Sequence, residues 1–279
     1  MTELAPAAPS TLIDERYRLV EHVGTGRAGS VWSAVDLRLR RAVAVRLVPL
    51  ASDRALPALA DTASGWTPGM ARVYDVGAAH DGGAYLVREF VDGASLDARA
   101  EVGGLPVATI AAVGACVAST LAGLHLLALG HGAVHGGNVV LAPSADRSPD
   151  LHGSTATLTD FGMRTVFGGS RPRPADDVLD LGRMLLGAVT ARRVVGARTT
   201  QTALSRLGRE PALRPRERKA WAEILTSMTA TDASGRPGAA TVAAALATLA
   251  RDAATQGSVA RARGTVGYQP PPWETLFAS

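Results

Sequence analysis

Two patterns of hydrophobic and polar positions divide the chain near residue 92. The front part has short β-branched runs broken by glycine, which are typical of antiparallel strands with tight connections. The back part has longer stretches rich in alanine and leucine, with the length of helices. A strand-rich front and a helix-rich back predict an α+β chain in two lobes.

These patterns predict individual elements. The strands are Tyr17–Val23, Val31–Asp36, Ala42–Val48, Ala71–Ala78 and Ala84–Phe90. The helices are Thr109–Leu129, Asp177–Thr190, Pro215–Met228 and Ala239–Ala253. A short helix is expected at Asp53–Thr62, and Gly82-Gly83 between the last two strands is a hairpin signal.

Composition limits the classes of protein to consider. The chain has 29 basic and 25 acidic residues, a net charge of +4, and Lys219 is its only lysine. The arginines are spread evenly without a basic stripe between aromatics, so nucleic-acid binding is not expected. The single cysteine, Cys116, lies in an apolar stretch. It predicts a buried, inert thiol in a cytoplasmic protein without an internal disulfide.

One uncharged segment, Val102 to Ala145, resembles a membrane span. Within it, Ala111–Leu129 approaches the length of about 20 residues that crosses a bilayer. His125 and several other polar residues and glycines interrupt it. We therefore expect a helix buried inside the second lobe and no membrane span.

The motif GTGRAGSV carries the first chemical signal. Its glycines, Gly24, Gly26 and Gly29, let backbone amides approach phosphate oxygens, and the following Val31 can cover a purine ring. Alone, the motif is also compatible with an ordinary glycine-rich hairpin. A dinucleotide-binding fold is not expected, because that fold needs a helix directly after the glycines.

Seven segments in a fixed order resemble landmarks of the bacterial, actinobacterial-type serine/threonine protein kinases. They are YRLVEHVGTGRAGSVW, VAVR, YLVREFVDGASL, HGAVHGGNVVL, LTDFG, DVLDLG and DASGRP. The resemblance covers about Arg16 to Ala250. It implies a two-lobed kinase-like fold with an antiparallel-sheet N-lobe and a mostly helical C-lobe.

The hydrophobic pattern and the family resemblance together predict the domain organisation. Residues 1–15 are a disordered leader, 16–92 the kinase-like N-lobe, 93–253 the kinase-like C-lobe, and 254–279 a flexible tail containing proline. The tail run PPPWETLF could dock on a partner or on its own domain, or be an unstructured end.

The resemblance implies that the catalytic parts of the site are degenerate. Arg46 stands where the family has the lysine that holds the α- and β-phosphates, and a guanidinium is not equivalent to that lysine. Its glutamate partner is missing, since the helix region has only Asp53 and Asp61 as acids. The ion pair typical of an active kinase is therefore not expected.

Two histidines compete for the catalytic-loop position of the family. His131 is preferred to His135, because it keeps the seven-residue spacing to Asn138. The family's arginine then falls at Gly132 and its catalytic aspartate at Ala133, which cannot accept the substrate proton. His135 falls at the catalytic-loop lysine position and is interpreted as a bystander.

Other parts of the nucleotide site are retained. By resemblance, the nucleotide-binding residues are Gly24, Gly26, Gly29, Val31, Ala44, Arg46, Glu89, Val91 and Val140, and the magnesium ligands are Asn138 and Asp160. Arg88 falls at the usually apolar gatekeeper position. A buried guanidinium there needs a partner, with Asp160 as the candidate, unless Arg88 turns to solvent.

Later landmarks are uneven. Asp177 matches the aspartate that braces the catalytic loop. Only Met163–Asp176 remain for an activation segment, which lacks the family's APE and offers Thr165 and Ser170 as phosphorylation sites. Arg236 matches the arginine that pairs with the missing APE glutamate, so it needs another partner or lies at the surface.

Together these features predict a pseudokinase, a signalling or scaffold module that binds ATP and magnesium weakly and transfers little or no phosphate. Its expected partners are signalling proteins, such as an active kinase or a phosphopeptide-binding protein. One alternative is an active non-standard serine/threonine kinase or another ATP-dependent transferase. The other is a pure interaction domain in which Arg46 and Arg88 fill the nucleotide site.

Overall fold

An antiparallel sheet forms the first lobe in the computed structural model. The structure describes residues 8–26, 29–49, 55–79, 83–103, 105–141, 156–167, 169–211 and 213–255. The strands of this sheet are β1 (Leu12–Ile13), β2 (Tyr17–Gly26), β3 (Gly29–Asp36), β4 (Arg41–Val48), β5 (Val73–Ala78) and β6 (Ala84–Glu89). Their order across the sheet is β1-β2-β3-β4-β6-β5.

Alternation along these strands gives the sheet two apolar faces. One face buries Tyr17, Val45 and Val87 in a cluster of its own. The other face carries Leu86, which packs under the short helix α1 (Ala55–Asp61) against the fully buried Leu59. The sheet therefore has a core on both sides, which explains its nearly continuous β-branched runs.

The expected disorder through residue 15 is wrong for residues 8–15. Strand β1 pairs with β2 in the register Leu12↔Arg18 and Ile13↔Tyr17. The Ser10 N–H also donates to the Leu19 carbonyl at 2.8 Å. The disordered leader was predicted from the alanine and proline of residues 1–10, whereas strand β1 lies after them and is held by backbone pairing. Residues 1–7 lie outside the described part of the chain.

The second lobe is mostly helical, as expected. Its helices are α2 (Leu96–Gly103), α3 (Val107–Leu126), α4 (Met163–Val166), α5 (Pro174–Thr190), α6 (Ala197–Leu207), α7 (Pro215–Met228) and α8 (Ala239–Thr255). A small antiparallel sheet in the order β7-β8-β9 joins β7 (Ala94–Ser95), β8 (Val139–Leu141) and β9 (Ala156–Leu158).

Helix α3 forms the centre of this lobe. It packs between α5 and α8, and a Cβ added at Gly114 would lie 2.9 Å from Leu185 and 3.0 Å from Leu246. Glycine thus lets three helices approach closely. By length and composition α3 could cross a membrane, and 67% of its most apolar window is buried inside the protein. This burial agrees with the expected core helix.

Helices α2, α4 and α6 were not predicted. Helix α6 buries only Thr200, Ala203 and Leu207, and it lacks the alanine- and leucine-rich composition from which the other helices were predicted. Helix α4 is four residues long, and its position depends on tertiary contacts. Gly82, Asp53 and the tail beyond Thr255 fall outside the described residues.

Candidate nucleotide and catalytic site

A buried ion pair joins the two lobes at the back of the candidate site. Arg46 is on β4, opposite Leu86, and reaches Asp160, which follows β9. Its Nε donates to Asp160 Oδ1 at 3.2 Å, and its Nη2 donates to Oδ2. Arg46 is 7% exposed and Asp160 9%. This is a bidentate pair, the strongest common arrangement of arginine and carboxylate.

A second guanidinium lies against the same carboxylate. Arg88, on β6, has its Nε 3.6 Å from Asp160 Oδ1, which is an ionic contact without a hydrogen bond. Its Nη1 donates to the Glu89 carbonyl at 3.1 Å. Arg88 is only 9% exposed, so it faces Asp160, the suggested partner, and does not turn to solvent.

These contacts determine the charge states of Asp160 and Arg88. Burial would raise the pKa of Asp160, but the charges of Arg46 and Arg88 outweigh burial and hold that pKa below its usual value. Burial lowers the pKa of Arg88, although an arginine side chain stays protonated in proteins. Two guanidinium groups therefore face one carboxylate. The neighbouring Glu89 is exposed, and its carboxylate accepts from the Arg72 N–H at 3.3 Å.

The catalytic loop is braced by Asp177, as the resemblance implied. This fully buried carboxylate, on α5, accepts the His131 N–H at 2.7 Å and the Gly132 N–H at 2.8 Å. His125 Nε2, on α3, lies 3.0 Å from the same group. One side chain thus fixes the loop to two helices.

His131 is a structural residue of this loop. Its ring is fully buried and makes an edge contact with Phe161 at 5.8 Å between ring centroids. Its Nδ1 accepts the Ala133 N–H at 3.3 Å, while its Nε2 has no hydrogen-bond partner. Burial lowers the pKa of His131 to about 4, against the opposing charge of Asp177. The ring is therefore neutral near pH 7.

Ala133 lies at the position to which the resemblance assigns the catalytic aspartate. The Asn138 Nδ2 donates to the Ala133 carbonyl at 2.9 Å, and the Asn138 carbonyl accepts the Thr159 N–H at 2.9 Å. Gly132 has φ 75°, and a Cβ there would lie 2.2 Å from Pro172. The family's arginine at that position would collide with the segment before α5.

The glycine motif forms the β2–β3 hairpin, with Gly24 opposite Val31 and Gly26 opposite Gly29. Gly29 has φ 97°, and a Cβ there would lie 1.9 Å from the Leu47 carbonyl oxygen, so only glycine fits. A Cβ at Gly24 or Gly26 would meet nothing within 4 Å. Packing therefore does not require glycine at these two positions, and their role in holding phosphate stays a prediction.

The other predicted nucleotide residues lie on the strands around the cleft and the connection between the lobes. Ala44 is buried on β4, and Val140 is half-buried on β8. Val91 is half-buried in the connection between the lobes. Both backbone polar groups of Glu89 already have hydrogen-bond partners within the protein. Its N–H donates to the Arg72 carbonyl at 2.8 Å, and its carbonyl accepts from Arg88.

The activation segment packs against the N-lobe. Met163 and Val166, on α4, are buried in the cluster that contains Leu59 of α1. Thr165 and Ser170 are exposed. On α1, the acid Asp61 is exposed, whereas Asp53 lies outside the described residues. Among the described residues, the carboxylate bound by Arg46 is that of Asp160.

Arg236 contacts backbone carbonyls and Asp176 in place of the missing APE glutamate. Its side chain is 7% exposed, donates to the Ala230 and Ala175 carbonyls at 2.9 Å each, and lies 3.5 Å from Asp176. Asp176 also accepts from Arg173 at 3.0 Å. This network connects the loop before α8 to the start of α5. Of the two expectations for Arg236, another partner or a surface position, the structure shows the first.

The sequence of the chain is similar to those of mycobacterial serine/threonine-protein kinases. The chain matches no family model. It is 31% identical to serine/threonine-protein kinase PknA of Mycobacterium tuberculosis over 206 residues, 64% of this chain and 47% of the relative. The same figures hold for PknA of Mycobacterium bovis. It is 24% identical to PknK of Mycobacterium tuberculosis over 237 residues, 73% of this chain and 20% of that protein. The chain thus spans less than half the length of these relatives.

Proposed function

Because the chain belongs to the bacterial serine/threonine protein kinase family, we propose that it is a pseudokinase that acts as a signalling or scaffold module. The observation that carries this proposal is Ala133, which stands in the braced catalytic loop where the family has its catalytic aspartate. Loss of general-base catalysis costs on the order of 10²–10⁴ in rate. The Asp177 brace holds the loop in place, which supports a loss of the catalytic group and not of the loop's position.

Two further features support the proposal. The Arg46 guanidinium is bound to Asp160 by two hydrogen bonds, so it is not free to position a phosphate without breaking them. The activation segment packs Met163 and Val166 into the N-lobe core, and the short run to α5 leaves little chain for a substrate platform. Phosphoryl transfer depends on positioning, which both features oppose.

Signalling proteins are the proposed partners, with an active kinase as the first candidate. The exposed Thr165 and Ser170 are accessible acceptors in the activation segment. Phosphate added there would carry a charge of about −1.5 to −2 and create a docking site for an arginine-rich phosphopeptide reader. The expectation of weak ATP binding stays part of the proposal.

The test is transfer of the γ-phosphate from radiolabelled ATP, to the protein itself and to a generic basic protein. An active bacterial serine/threonine kinase domain serves as the positive control. We expect no turnover by the wild type with magnesium or manganese, and labelling only when the active kinase is added. Catalytic turnover by the wild type alone would show that the protein is a working kinase.

A further inference from the structure

Asp160, Arg46 and Arg88 form a cluster, here called the arginine clamp, in which two guanidinium groups enclose one carboxylate. We infer that the arginine clamp replaces magnesium: the site excludes divalent cations and binds a phosphate-bearing anion without them. This inference rests on the proposed function, because a site without magnesium suits a module that does not transfer phosphate.

The residues expected to hold magnesium do not fit the ion. Both oxygens of Asp160 accept hydrogen bonds from Arg46, and Oδ1 also faces Arg88. Magnesium takes oxygen ligands at about 2.0–2.1 Å in near-octahedral geometry. To bind here, it would have to displace a buried guanidinium and then lie beside two positive charges. Asn138, the other expected ligand, carries no negative charge to offset them.

No other cluster of residues supplies a substitute for this metal site. Within the described part of the chain, no group of three or more His, Cys, Asp or Glu side chains is placed to hold a metal ion. The nearby His131 is fully buried, and its Nδ1 already accepts the Ala133 N–H. Glu89, the next carboxylate, is exposed and bonded to the Arg72 N–H.

The same contacts favour an anion. The clamp has two positive charges and one negative charge, and the next carboxylate whose charge acts on Arg88 among the described residues is the exposed Glu89. Arg88 Nε is buried and has no hydrogen-bond acceptor. A buried donor without an acceptor is unfavourable, so an oxygen placed there is stabilised. Arginine binds phosphate well because its planar fork donates two parallel hydrogen bonds.

The two arginines have different parts in this arrangement. Arg46 keeps Asp160 through two hydrogen bonds, whereas Arg88 makes only an ionic contact with it at 3.6 Å. Arg88 can therefore turn its Nε to a ligand oxygen while Asp160 remains paired. The arginine at the gatekeeper position, rather than the one at the lysine position, is the proposed phosphate contact.

Titration calorimetry tests the inference with three probes, ADP, pyrophosphate and adenosine, in EDTA and then with excess magnesium. We expect ADP to bind in EDTA, and magnesium to leave the affinity within about twofold or to lower it. Arg88→Leu should weaken binding about tenfold, which corresponds to about 1.4 kcal/mol. Arg193→Leu removes an exposed arginine between α5 and α6 and should change nothing. Pyrophosphate binding without adenosine binding would identify phosphate as the recognised group.

Manganese titration followed by electron paramagnetic resonance tests the exclusion of metal directly. The wild type should show no specific site, and Arg46→Lys/Arg88→Leu, which restores the family's residue types, should gain one that Asp160→Asn removes. Arg88→Met serves as a second variant if Arg88→Leu does not fold.

Three results would overturn the inference. They are a tenfold or larger gain in ADP affinity with magnesium, a specific manganese site in the wild type, and no binding of ADP or pyrophosphate in EDTA. The last result would favour the interaction domain without nucleotide. None of these measurements follows phosphate transfer, so failure of the inference is distinct from failure of the proposed function, which only the transfer assay shows.

Discussion

At the residue scale, the positions that differ from a working kinase have packing consequences as well as chemical ones. Gly132 is glycine where its Cβ would meet Pro172, so the short activation segment occupies the space of the family's arginine side chain. Arg88 needs a buried counterion, and Asp160 supplies it at 3.6 Å. Each substitution is therefore tied to a neighbour, and a single reversion leaves a conflict elsewhere.

Removing the carboxylate should destabilise the protein strongly. Asp160→Asn leaves Arg46 and Arg88 buried without a counterion, and breaking a buried pair in this way costs about 3–5 kcal/mol. Replacing all three side chains, by Arg46→Met, Arg88→Leu and Asp160→Leu, should be nearly neutral or stabilising. Urea unfolding measures both free energies. A stability of Asp160→Asn equal to that of the wild type would show that the two arginines do not depend on Asp160.

Stability should fall as the pH is lowered from 7 to 4, because of His131. Burial lowers its folded-state pKa from 6.5 to about 4, so the unfolded chain binds a proton first as the pH falls. The contribution of His131 to the free energy of unfolding is fully present above about pH 6.5. It is smaller by about 3 kcal/mol at pH 4. The pKa of Asp160 is also lowered, so its contribution is lost only below this range.

Urea unfolding across this pH range measures the effect. His131→Phe keeps an aromatic ring beside Phe161 and should flatten the dependence. His135→Gln, at an exposed histidine, should leave it unchanged. An unaltered slope in His131→Phe would assign the dependence to other groups.

At the element scale, helix α3 is the central buried helix of the second lobe, against which α5 and α8 pack. Leu121 on α3 is fully buried, whereas Leu126 at its end is 89% exposed. Leu121→Ala should cost about 2–5 kcal/mol of unfolding free energy, since it opens a cavity among packed helices. Leu126→Ala is the matched control and should cost less than about 0.5 kcal/mol. Equal effects in chemical unfolding would contradict the position of α3 as the core helix.

The elements that could be predicted are those with a strong local pattern. Helix α7 begins and ends at the predicted residues, Pro215 and Met228, because proline marks its start and an apolar stripe runs through it. Strand β1 and helix α4 could not be predicted, since they are held by pairing with β2 and by packing against Leu59. In the site, the brace by Asp177 was implied by the resemblance to the kinase family. The pairing of Arg46 with Asp160 was not, because it joins residues 114 positions apart.

At the scale of the whole molecule, the arginine clamp also joins the lobes. Arg46 and Arg88 lie on neighbouring strands of the first lobe, and Asp160 follows the small sheet of the second. Helix α4 adds an apolar contact through Met163 and Val166 beneath α1. Polar and apolar contacts therefore both join the two lobes, and the expected metal ligand Asp160 is engaged in the polar ones.

The most direct test of this account is phosphotransfer by Ala133→Asp, measured with radiolabelled ATP and magnesium beside the wild type and an active kinase domain. If Ala133 were the only defect, the new carboxylate would restore activity, because the Asp177 brace already positions the loop. We predict no turnover, since the arginine clamp and the packed activation segment still prevent alignment of the γ-phosphate. Robust turnover from Ala133→Asp alone would contradict the account and show that the rest of the site is that of a competent kinase.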